Sequence, residues 1–236
     1  MKETSKLFRV IACVAVLAGS MVLSQAAQVG KAVVRRVVGA AEASEGGAWK
    51  ALKGGEQLAP GTVIRTANDS SVDLFLDQNG PLVRLVENTT LGLEKLNFEN
   101  TGVDTVIETQ LDLKSGRIVG SVKKLSATSK YEIKTPNGVA GIRGTEYVIS
   151  ADGTIKVTKG QIVAVYVKAD GGVVTQVVNA GEKFNPATQK VEPMTTEEKA
   201  EAEAMATSLK GGTRTQDADV EAPPVVFVSP VVGGTP

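Results

Sequence analysis

Residues 146–167, EYVISADGTIKVTKGQIVAVYV, contain the strongest fold signal in this chain of 236 residues. After the Asp152-Gly153 pair, Ile155 and Val157 alternate with polar residues, as on a half-buried strand. An Asp-Gly pair between two such runs is a typical β-hairpin turn. Gln161–Val167 is then a nearly continuous run of β-branched residues, which favours a further strand. The segment therefore predicts consecutive strands joined by glycine turns.

The same period of two recurs along most of the chain. Val72–Asp77 alternates Val72, Leu74 and Leu76 with Asp73, Phe75 and Asp77, and Tyr131–Thr135 places its ring and its Ile on one face. Turn pairs such as Pro60-Gly61 follow at intervals of roughly 8–12 residues. We therefore predict an all-β domain over residues 27–190. A β-sandwich and a β-solenoid-like stack of short rungs both stay open, because both bury alternate side chains.

The composition changes after Pro193. Thr195 and Thr196 can cap a helix, and Lys199–Lys210 is rich in Ala, Glu, Met and Leu. Residues 191–212 are therefore predicted to be a linker and a short acidic helix, which would pack weakly because its apolar residues are mostly Ala. Residues 213–236, which end in APPVVFVSPVVGGTP, are predicted to be a disordered tail rich in Pro, Val and Gly.

Residues 1–26 have the pattern of a signal peptide. Three basic residues precede an apolar run, Val10–Leu23, and the small residues Ser24 and Ala26 place cleavage between Ala26 and Ala27. The run is shorter than the about 20 residues that span a membrane. We therefore expect a periplasmic or secreted protein. The alternative is an uncleaved segment that anchors the chain in a membrane.

The composition excludes several classes of chemistry. The chain has no His and one Cys, so His-based catalysis, His metal ligands, an intramolecular disulfide and Cys-rich zinc sites are excluded. Its 26 basic and 26 acidic residues give a formal net charge of zero, which argues against a nucleic-acid partner. We expect no cofactor and no metal.

Carboxylate catalysis is the enzymatic chemistry that the composition leaves open. Asp73 and Asp77 are predicted to lie on one strand face, about 13 Å apart. The paired carboxylates of glycoside hydrolases lie about 5–9.5 Å apart. We therefore assign no catalytic residue, and a carboxylate-dependent glycan hydrolase is the least favoured hypothesis.

The densest motif is TPNGVAGIRGTEY at residues 135–147, in which a glycine recurs every third residue. A phosphate-binding loop is not favoured, because the motif lacks Gly-Lys-Ser/Thr and a strand pattern follows it. Glycines at this spacing suit a corner where backbone segments approach closely. We expect a structural role for the motif. Arg143 and Glu146 are near enough in sequence to pair, and an Arg beside a crowded glycine corner often satisfies backbone carbonyls. The residues assigned to it are Thr135, Pro136, Gly138, Gly141, Arg143, Gly144 and Thr145.

The motif resembles the specific part of a FecR-type domain. Weaker matches lie before and after it, among them Pro60-Gly61-x-x-Ile64-x-Thr66, and the resemblance covers about residues 39–184. It implies an extracytoplasmic all-β module of the bacterial envelope without catalytic residues. In the namesake regulators such a module receives a signal from an outer-membrane receptor and passes it to a cytoplasmic sigma-factor-binding segment. Only nine residues precede the apolar run here, so we expect no such segment.

The leading functional hypothesis is an exported, non-catalytic FecR-like module that binds an envelope protein or glycan in sensing or scaffolding. The alternative is a membrane-anchored periplasmic sensor or regulator in signal transduction, with an uncleaved N-terminal segment. We expect contact surfaces at the strand edges and at a mobile acidic helix with its tail. Addition of a partner strand to a sheet edge is one route.

Overall fold

The computed structural model describes residues 27–80, 82–102 and 104–211. The signal peptide predicted at 1–26, including Ala26, and the tail predicted at 213–236 lie outside these residues, and Ala27 is the first residue described. In chain order the strands are β1 (Gln28–Val29), β2 (Ala32–Val38), β3 (Ala41–Ser44), β4 (Lys50–Ala51), β5 (Gln57–Leu58), β6 (Val63–Thr66), β7 (Ser71–Phe75), β8 (Leu82–Leu85), β9 (Thr90–Asn100), β10 (Thr105–Ser115), β11 (Arg117–Ser121), β12 (Lys130–Thr135), β13 (Gly138–Ile142), β14 (Glu146–Ser150), β15 (Ile155–Lys159), β16 (Gln161–Val167), β17 (Val173–Asn179), β18 (Glu182–Asn185) and β19 (Lys190–Pro193). A helix, α1 (Thr196–Gly211), follows the last strand.

The strands form two sheets. Sheet 1 has the order β17-β16-β13-β12-β10-β9-β6-β3-β4, with β1 also paired to β9, and sheet 2 has the order β19-β18-β15-β14-β11-β8-β7-β2-β5. Among the described residues the pairs are antiparallel except for β10 and β12, which are parallel. The all-β prediction is confirmed.

The architecture has a feature of each predicted alternative. One continuous core contains buried side chains from both sheets, as in a sandwich. From β6 and β7 onward, however, each sheet adds its strands in the order of the chain, as a solenoid does. The chain achieves this by placing antiparallel hairpins alternately in one sheet and in the other, so most neighbouring strands are close in sequence.

The period of two identified the inner faces correctly. Val72, Leu74, Tyr131 and Ile133 are all buried in the shared core. The Asp152-Gly153 turn joins β14 and β15, which pair antiparallel as predicted. Gly153 has φ +101°, and the Asp152 carboxylate accepts a hydrogen bond of 2.8 Å from the Thr154 N–H. This turn therefore has the conformation for which its two residues are suited.

The final strand extends the sheet beyond the domain boundary predicted at residue 190. Val191 in β19 pairs with Phe184 and packs against the core, so sheet 2 continues to Pro193. The helix then begins where the sequence predicted it. Thr195 and Glu198 form a capping box, in which each side chain accepts a hydrogen bond from the backbone N–H of the other. No helix of residues 27–80, 82–102 and 104–211 is long and apolar enough to cross a membrane.

Helix α1 lies against the outer face of sheet 2, which corrects the expectation of a weakly packed, mobile helix. Ala202, Ala206 and Leu209 are buried, and two of them pack against Val119 and Val148 of the sheet. Small alanine side chains let the helix approach the strands closely. Acidic residues of the helix, Glu198 and Glu201, form ion pairs with bases of the sheet.

The ion pairs hold both ends of the helix. At the start, the two Lys183–Glu198 hydrogen bonds measure 2.8 and 2.9 Å. At the end, Lys210 Nζ lies 2.7 Å from a carboxylate oxygen of Glu146. The middle strands of sheet 2, β8, β11, β14 and β15, are therefore covered on their outer face, and α1 is an integral part of the domain.

Lowering the pH is expected to loosen α1 through Glu198. The hydrogen bond from Lys183, and then that from the Thr195 N–H, lower the pKa of Glu198 from 4.5. The stabilisation is therefore fully present above pH 4.5 and is lost as the pH falls through the lowered pKa. We expect the amides of residues 202–209 to lose protection from hydrogen exchange, after correction for the intrinsic rate, in this acidic range.

The matched control for this titration is Glu203→Gln, since Glu203 is exposed on the same helix. Glu198→Gln should remove most of the pH dependence of protection, and Glu203→Gln should leave it unchanged. An equal effect of both variants would show that the overall charge of the helix, and not the Lys183–Glu198 contact, holds α1.

Candidate functional site

The sequence motif forms a hairpin and the corner that follows it. Pro136 and Asn137 make the turn between β12 and β13, and the Thr135 hydroxyl donates a hydrogen bond of 3.3 Å to the Gly138 carbonyl across it. After Ile142, residues 143–145 carry the chain from sheet 1 to sheet 2. The motif therefore lies where the two sheets are joined.

Two of the motif glycines leave no room for a side chain. Gly144 has φ +91°, and a Cβ placed on it would lie 2.8 Å from the Cα of Lys124. A Cβ on Gly138 would collide with the carbonyl oxygen of Val165 on the neighbouring strand. Gly141 differs, since the nearest atom to its Cβ position, the Val163 oxygen, is at the ordinary distance of 3.7 Å. The close approach predicted from the glycine spacing is thus present at two of the three positions.

Thr145 connects the corner to both neighbouring segments. Its buried hydroxyl donates a hydrogen bond of 2.8 Å to the Gln161 carbonyl, and its own carbonyl accepts one of 3.0 Å from the Val122 N–H. Thr89 repeats this arrangement, with its buried hydroxyl donating to the Arg117 carbonyl at 3.0 Å. This repeat was not predicted, although each buried threonine faces a Gly-x-Ile-Val segment, at 116–119 and at 160–163.

Arg143 does not form an ion pair with Glu146, although the two are near enough in sequence to do so. The Glu146 carboxylate is instead held by Lys210 at 2.7 Å, with Lys159 at 3.9 Å. The sequence did not indicate this partner, because Lys210 belongs to α1, whose docking brings a distant base to this corner. Arg143 is exposed, and its guanidinium has no ion pair or hydrogen bond with any residue that the structure describes.

Two lysines join Arg143 at the corner. Lys123 and Lys124 follow β11, and the contact between Gly144 and the Lys124 backbone brings them beside Arg143. Both are exposed, and neither forms an ion pair within the described part of the chain. We call Lys123, Lys124 and Arg143 the basic corner. Three cations at one corner raise the local positive potential, so an anionic group placed beside them would be attracted.

Strand β17 is an unprotected sheet edge. It is the last strand of sheet 1, it has seven residues, and the sequence VVTQVVN contains no charge and no proline. The other sheet ends are less open, since β4 and β5 have two residues each and β19 ends in Pro193. Natural proteins usually protect edge strands with charges, prolines or short length. At one end of the strand the Asn179 N–H already donates a hydrogen bond of 2.8 Å to the Glu182 carboxylate. The rest of the β17 edge is therefore the surface best suited to receive another strand.

The face of sheet 1 beside this edge is apolar and exposed. Val163 pairs with Val177, and Val167 with Val173, and these four side chains are 43–62% exposed. They point away from the core, and no described residue covers them as α1 covers sheet 2. We call β17 with these four valines the valine edge. Exposed apolar groups that adjoin one another are typical of an interaction site.

The basic corner and the valine edge are parts of one surface. Ile142 pairs with Ile162, which in turn pairs with Val178, so β13, β16 and β17 end together. Arg143 directly follows Ile142. The cations therefore lie at one end of the valine edge, and the exposed valines extend away from them along the strands.

The carboxylates considered for catalysis are not brought together. Asp73 on β7 is buried and held by Arg84, with an Nη–Oδ hydrogen bond of 2.8 Å. Asp77 does not continue the strand, because β7 ends at Phe75 and a 3₁₀ turn begins at Asp77 with φ +51°. The predicted shared strand face is therefore wrong. Among the described residues, no group of three His, Cys, Asp or Glu side chains is placed to hold a metal ion.

Two buried tyrosines are the most strongly perturbed titratable groups. Tyr131 and Tyr147 lie in the core with their hydroxyl oxygens 3.5 Å apart. Burial raises the pKa of both, because the phenolate would lose its hydration. Both hydroxyls therefore stay protonated and fully enclosed, which suits packing of the core and not exchange with a ligand.

Comparison with known proteins gives one family match. Residues 62–163 match the model of the family described as FecR protein. No curated protein matches the chain in sequence. Two crystal structures of a candidate anti-sigma factor from Parabacteroides distasonis are similar to it, with 11% identity and TM-scores of 0.43 and 0.41. Each alignment covers 56% of this chain and 59% of the other, so the chain spans less than two thirds of that protein.

Proposed function

Residues 62–163 form a FecR domain, as the motif predicted, and from this premise we propose that the chain is an exported, non-catalytic regulator of signal transduction in the bacterial envelope. It acts by binding a protein partner, which adds a strand to the valine edge. The family match supports a regulatory role and is compatible with a location in the envelope. The partner is identified by its chemistry, as an extended segment with alternating apolar residues.

The contrast between the two sheets carries this proposal. Helix α1 covers the middle strands of sheet 2 on its outer face, whereas sheet 1 ends in a seven-residue edge strand that adjoins exposed valines. In strand addition, main-chain hydrogen bonds give affinity and alternate side chains give specificity. The valine edge offers both, since every second residue of β16 and β17 presents a side chain on the open face.

The basic corner adds a charge requirement at one end of the edge. A partner strand that carries a carboxylate beyond its apolar residues would place it among Lys123, Lys124 and Arg143. These cations lack an acidic partner within the described residues, so the interaction replaces solvent without breaking an ion pair. The corner would therefore fix the direction and the register of the added strand.

Export is proposed from the pattern of residues 1–26, with cleavage between Ala26 and Ala27. In the second arrangement, the apolar run is retained as an anchor and the same module faces the periplasm. The binding surface is identical in both arrangements, because it lies entirely within residues 123–179. The state of the N-terminus decides only whether the regulator is free or tethered.

Site-specific photo-cross-linking in cells tests the proposal. A photoreactive residue in place of Thr175, which is exposed on β17, is expected to give an adduct with a second envelope protein. The same residue in place of Lys53, in an exposed turn at the opposite end of the sheets, should give none. Val177→Lys should reduce the adduct by about tenfold, because a lysine on an edge opposes strand pairing.

A control variant, the pattern of adducts and N-terminal sequencing decide whether the partner binds at the valine edge and whether the regulator is free. Ala187→Lys is the matched control, since Ala187 is exposed in a turn of sheet 2, and it should leave the adduct unchanged. Equal adducts from Thr175 and Lys53, or none from either, would overturn binding at the valine edge. N-terminal sequencing of the adduct should give Ala27 for a free regulator, and Met1 would establish the tethered one.

A further inference from the structure

We propose that two copies of this chain pair through the valine edge. Strand β17 of one copy lies antiparallel to β17 of the other, and a two-fold axis passes beside Thr175. The pairing joins sheet 1 of both copies into one continuous sheet. It goes beyond the proposed function, because it gives the edge an occupant that needs no second protein.

The edge of β17 has a run of free backbone groups that is closed at both ends. At one end the Asn179 N–H donates a hydrogen bond of 2.8 Å to the Glu182 carboxylate. At the other end, just before β17, the Gly171 N–H donates one of 3.0 Å to the Lys168 carbonyl. Thr175 lies midway between these two occupied groups.

Three N–H groups between the closed ends are available to a second strand. Because successive backbone groups of a strand point to opposite sides, those of Val173, Thr175 and Val177 point outward, as that of Asn179 does. They have no acceptor among the described residues. The free groups are therefore symmetric about Thr175, and β17 of a second copy has the same spacing of free groups.

One antiparallel register uses all three free groups. It places Thr175 opposite Thr175 of the second copy and Val173 opposite Val177, and each of these pairs would exchange two hydrogen bonds. A shift by two residues in either direction would bring Asn179 or Gly171, whose N–H groups are occupied, opposite a free group. The register therefore has a two-fold axis beside Thr175, and self-complementary contacts of this kind form symmetric dimers.

The same register aligns the exposed valines of the two copies. Within one copy Val163 pairs with Val177, and Val167 pairs with Val173. Across the axis Val177 would lie opposite Val173 of the second copy, so each row across the joined sheet would contain four valines, two from each copy. The two Thr175 side chains would meet between the rows. Valine and threonine pairs of this kind stabilise neighbouring strands.

Antiparallel pairing also keeps like charges apart. Strand β17 carries no charge, and the turn before it carries one base and one acid, Lys168 and Asp170. The basic corner lies at the Asn179 end of the valine edge. The corners of the two copies would therefore lie at opposite ends of the joint, where they do not repel one another strongly.

The joint is small, so the dimer is expected to dissociate on dilution. Residues 173–177 of each copy are far fewer than the about 20–30 residues a side of a stable interface. Self-pairing would occupy the edge that the proposed partner uses, so the two would compete. This competition rests on the proposed function, whereas the pairing itself does not.

Hydrogen exchange on the purified full chain at a series of concentrations tests the pairing. The amides of Val173, Thr175 and Val177 are expected to gain about tenfold protection as the concentration rises and sedimentation shows dimers. The Asn179 amide already donates to Glu182, so its protection should stay constant. Exchange of the three amides that does not depend on concentration, or a chain that stays monomeric, would overturn the proposal.

Two lysine variants test whether the edge forms the contact. Val177→Lys should lower the association constant about tenfold, because a lysine on an edge strand opposes pairing. The matched control is Val163→Lys, since Val163 is 43% exposed and Val177 47%, but Val163 lies one strand away from the edge. An equal loss in both variants would place the contact on the face of the sheet and overturn edge pairing. Protection of the α1 amides reports that each variant is folded.

Cysteine variants test the register in a Cys13→Ser chain, in which the introduced cysteine is the only one. Thr175→Cys should form a disulfide between copies under mild oxidation, because the two Cα atoms would lie about 5.5 Å apart. Val173→Cys should give at least about tenfold less, since its two Cα atoms would be about 13 Å apart. Equal yields at the two positions would overturn the two-fold register.

The pairing and the proposed function fail separately. A monomer at every concentration, together with an adduct to a second envelope protein in cells, would overturn the pairing and leave the proposed function intact. A dimer with the predicted disulfide, together with no adduct to another protein, would establish the pairing and overturn the proposed function.

Discussion

Replacing Gly144 with alanine is expected to lower the free energy of unfolding by about 3 kcal/mol. Two independent costs add at this position. Its φ of +91° is a conformation that residues with a Cβ rarely adopt, which costs about 1–2 kcal/mol. The new Cβ would also lie 2.8 Å from the Cα and 3.2 Å from the N of Lys124, so one backbone segment must move. Urea denaturation of the purified protein measures the loss.

Two other glycines separate these costs. Gly61 has φ +93° but no atom within 4 Å of its Cβ position, so Gly61→Ala should cost only the strain, about 1 kcal/mol. Gly141 has neither a positive φ nor a close neighbour, and Gly141→Ala should change stability by less than about 0.5 kcal/mol. Equal losses at Gly144 and Gly61 would contradict the role of close packing at the corner. An unchanged Gly144→Ala variant would contradict both parts of the argument.

The strands could be predicted from the sequence because their signals are local. Alternation identified the inner faces, such as Val72 and Leu74, and the Asp152-Gly153 turn identified a hairpin. The choice between a sandwich and a solenoid could not be made in the same way. Which strands pair depends on contacts between distant residues, and alternate burial is the same in both architectures.

The candidate site, like the fold, could be predicted from the sequence only in part. The glycine motif predicted a crowded corner, and the collisions at Gly138 and Gly144 show the crowding. The basic corner was missed, because Lys124 reaches Arg143 only through the fold. The sequence did contain a signal for the valine edge. The β16 and β17 segments are apolar at both odd and even positions, whereas a strand with one solvated face needs apolar residues only at alternate positions.

The helix explains why one sheet is closed and the other open. Its acidic residues and small alanines gave no hydrophobic signal, yet they suit a flat sheet face bordered by bases such as Lys183 and Arg117. With α1 docked, the part of the outer face of sheet 2 that lies beneath the helix is buried. Polar groups beneath the helix are then enclosed. An ion pair that lies there is stable only when both charged partners are present.

Asp73→Ala is expected to lower the free energy of unfolding by about 3 kcal/mol, since removing one partner of a buried ion pair leaves the other charge uncompensated. The side chains of Asp73 and Arg84 are 7% and 15% exposed, beneath the end of α1. Arg84 also donates a hydrogen bond of 2.6 Å to the Ser208 hydroxyl on the helix. The variant should therefore loosen the last turn of α1 as well, which hydrogen exchange at residues 205–209 can measure.

Two comparisons show whether enclosure causes the loss. Glu94→Ala breaks an ion pair with Lys134 in which both side chains are about 40% exposed, and it should cost about 0.5 kcal/mol or less. The double variant Asp73→Leu with Arg84→Met replaces both charges by apolar groups and should recover most of the stability lost in Asp73→Ala. A double variant as unstable as Asp73→Ala would show that the pair is needed for its hydrogen bonds to the helix. A loss at Glu94 as large as that at Asp73 would show that burial beneath α1 has no particular effect.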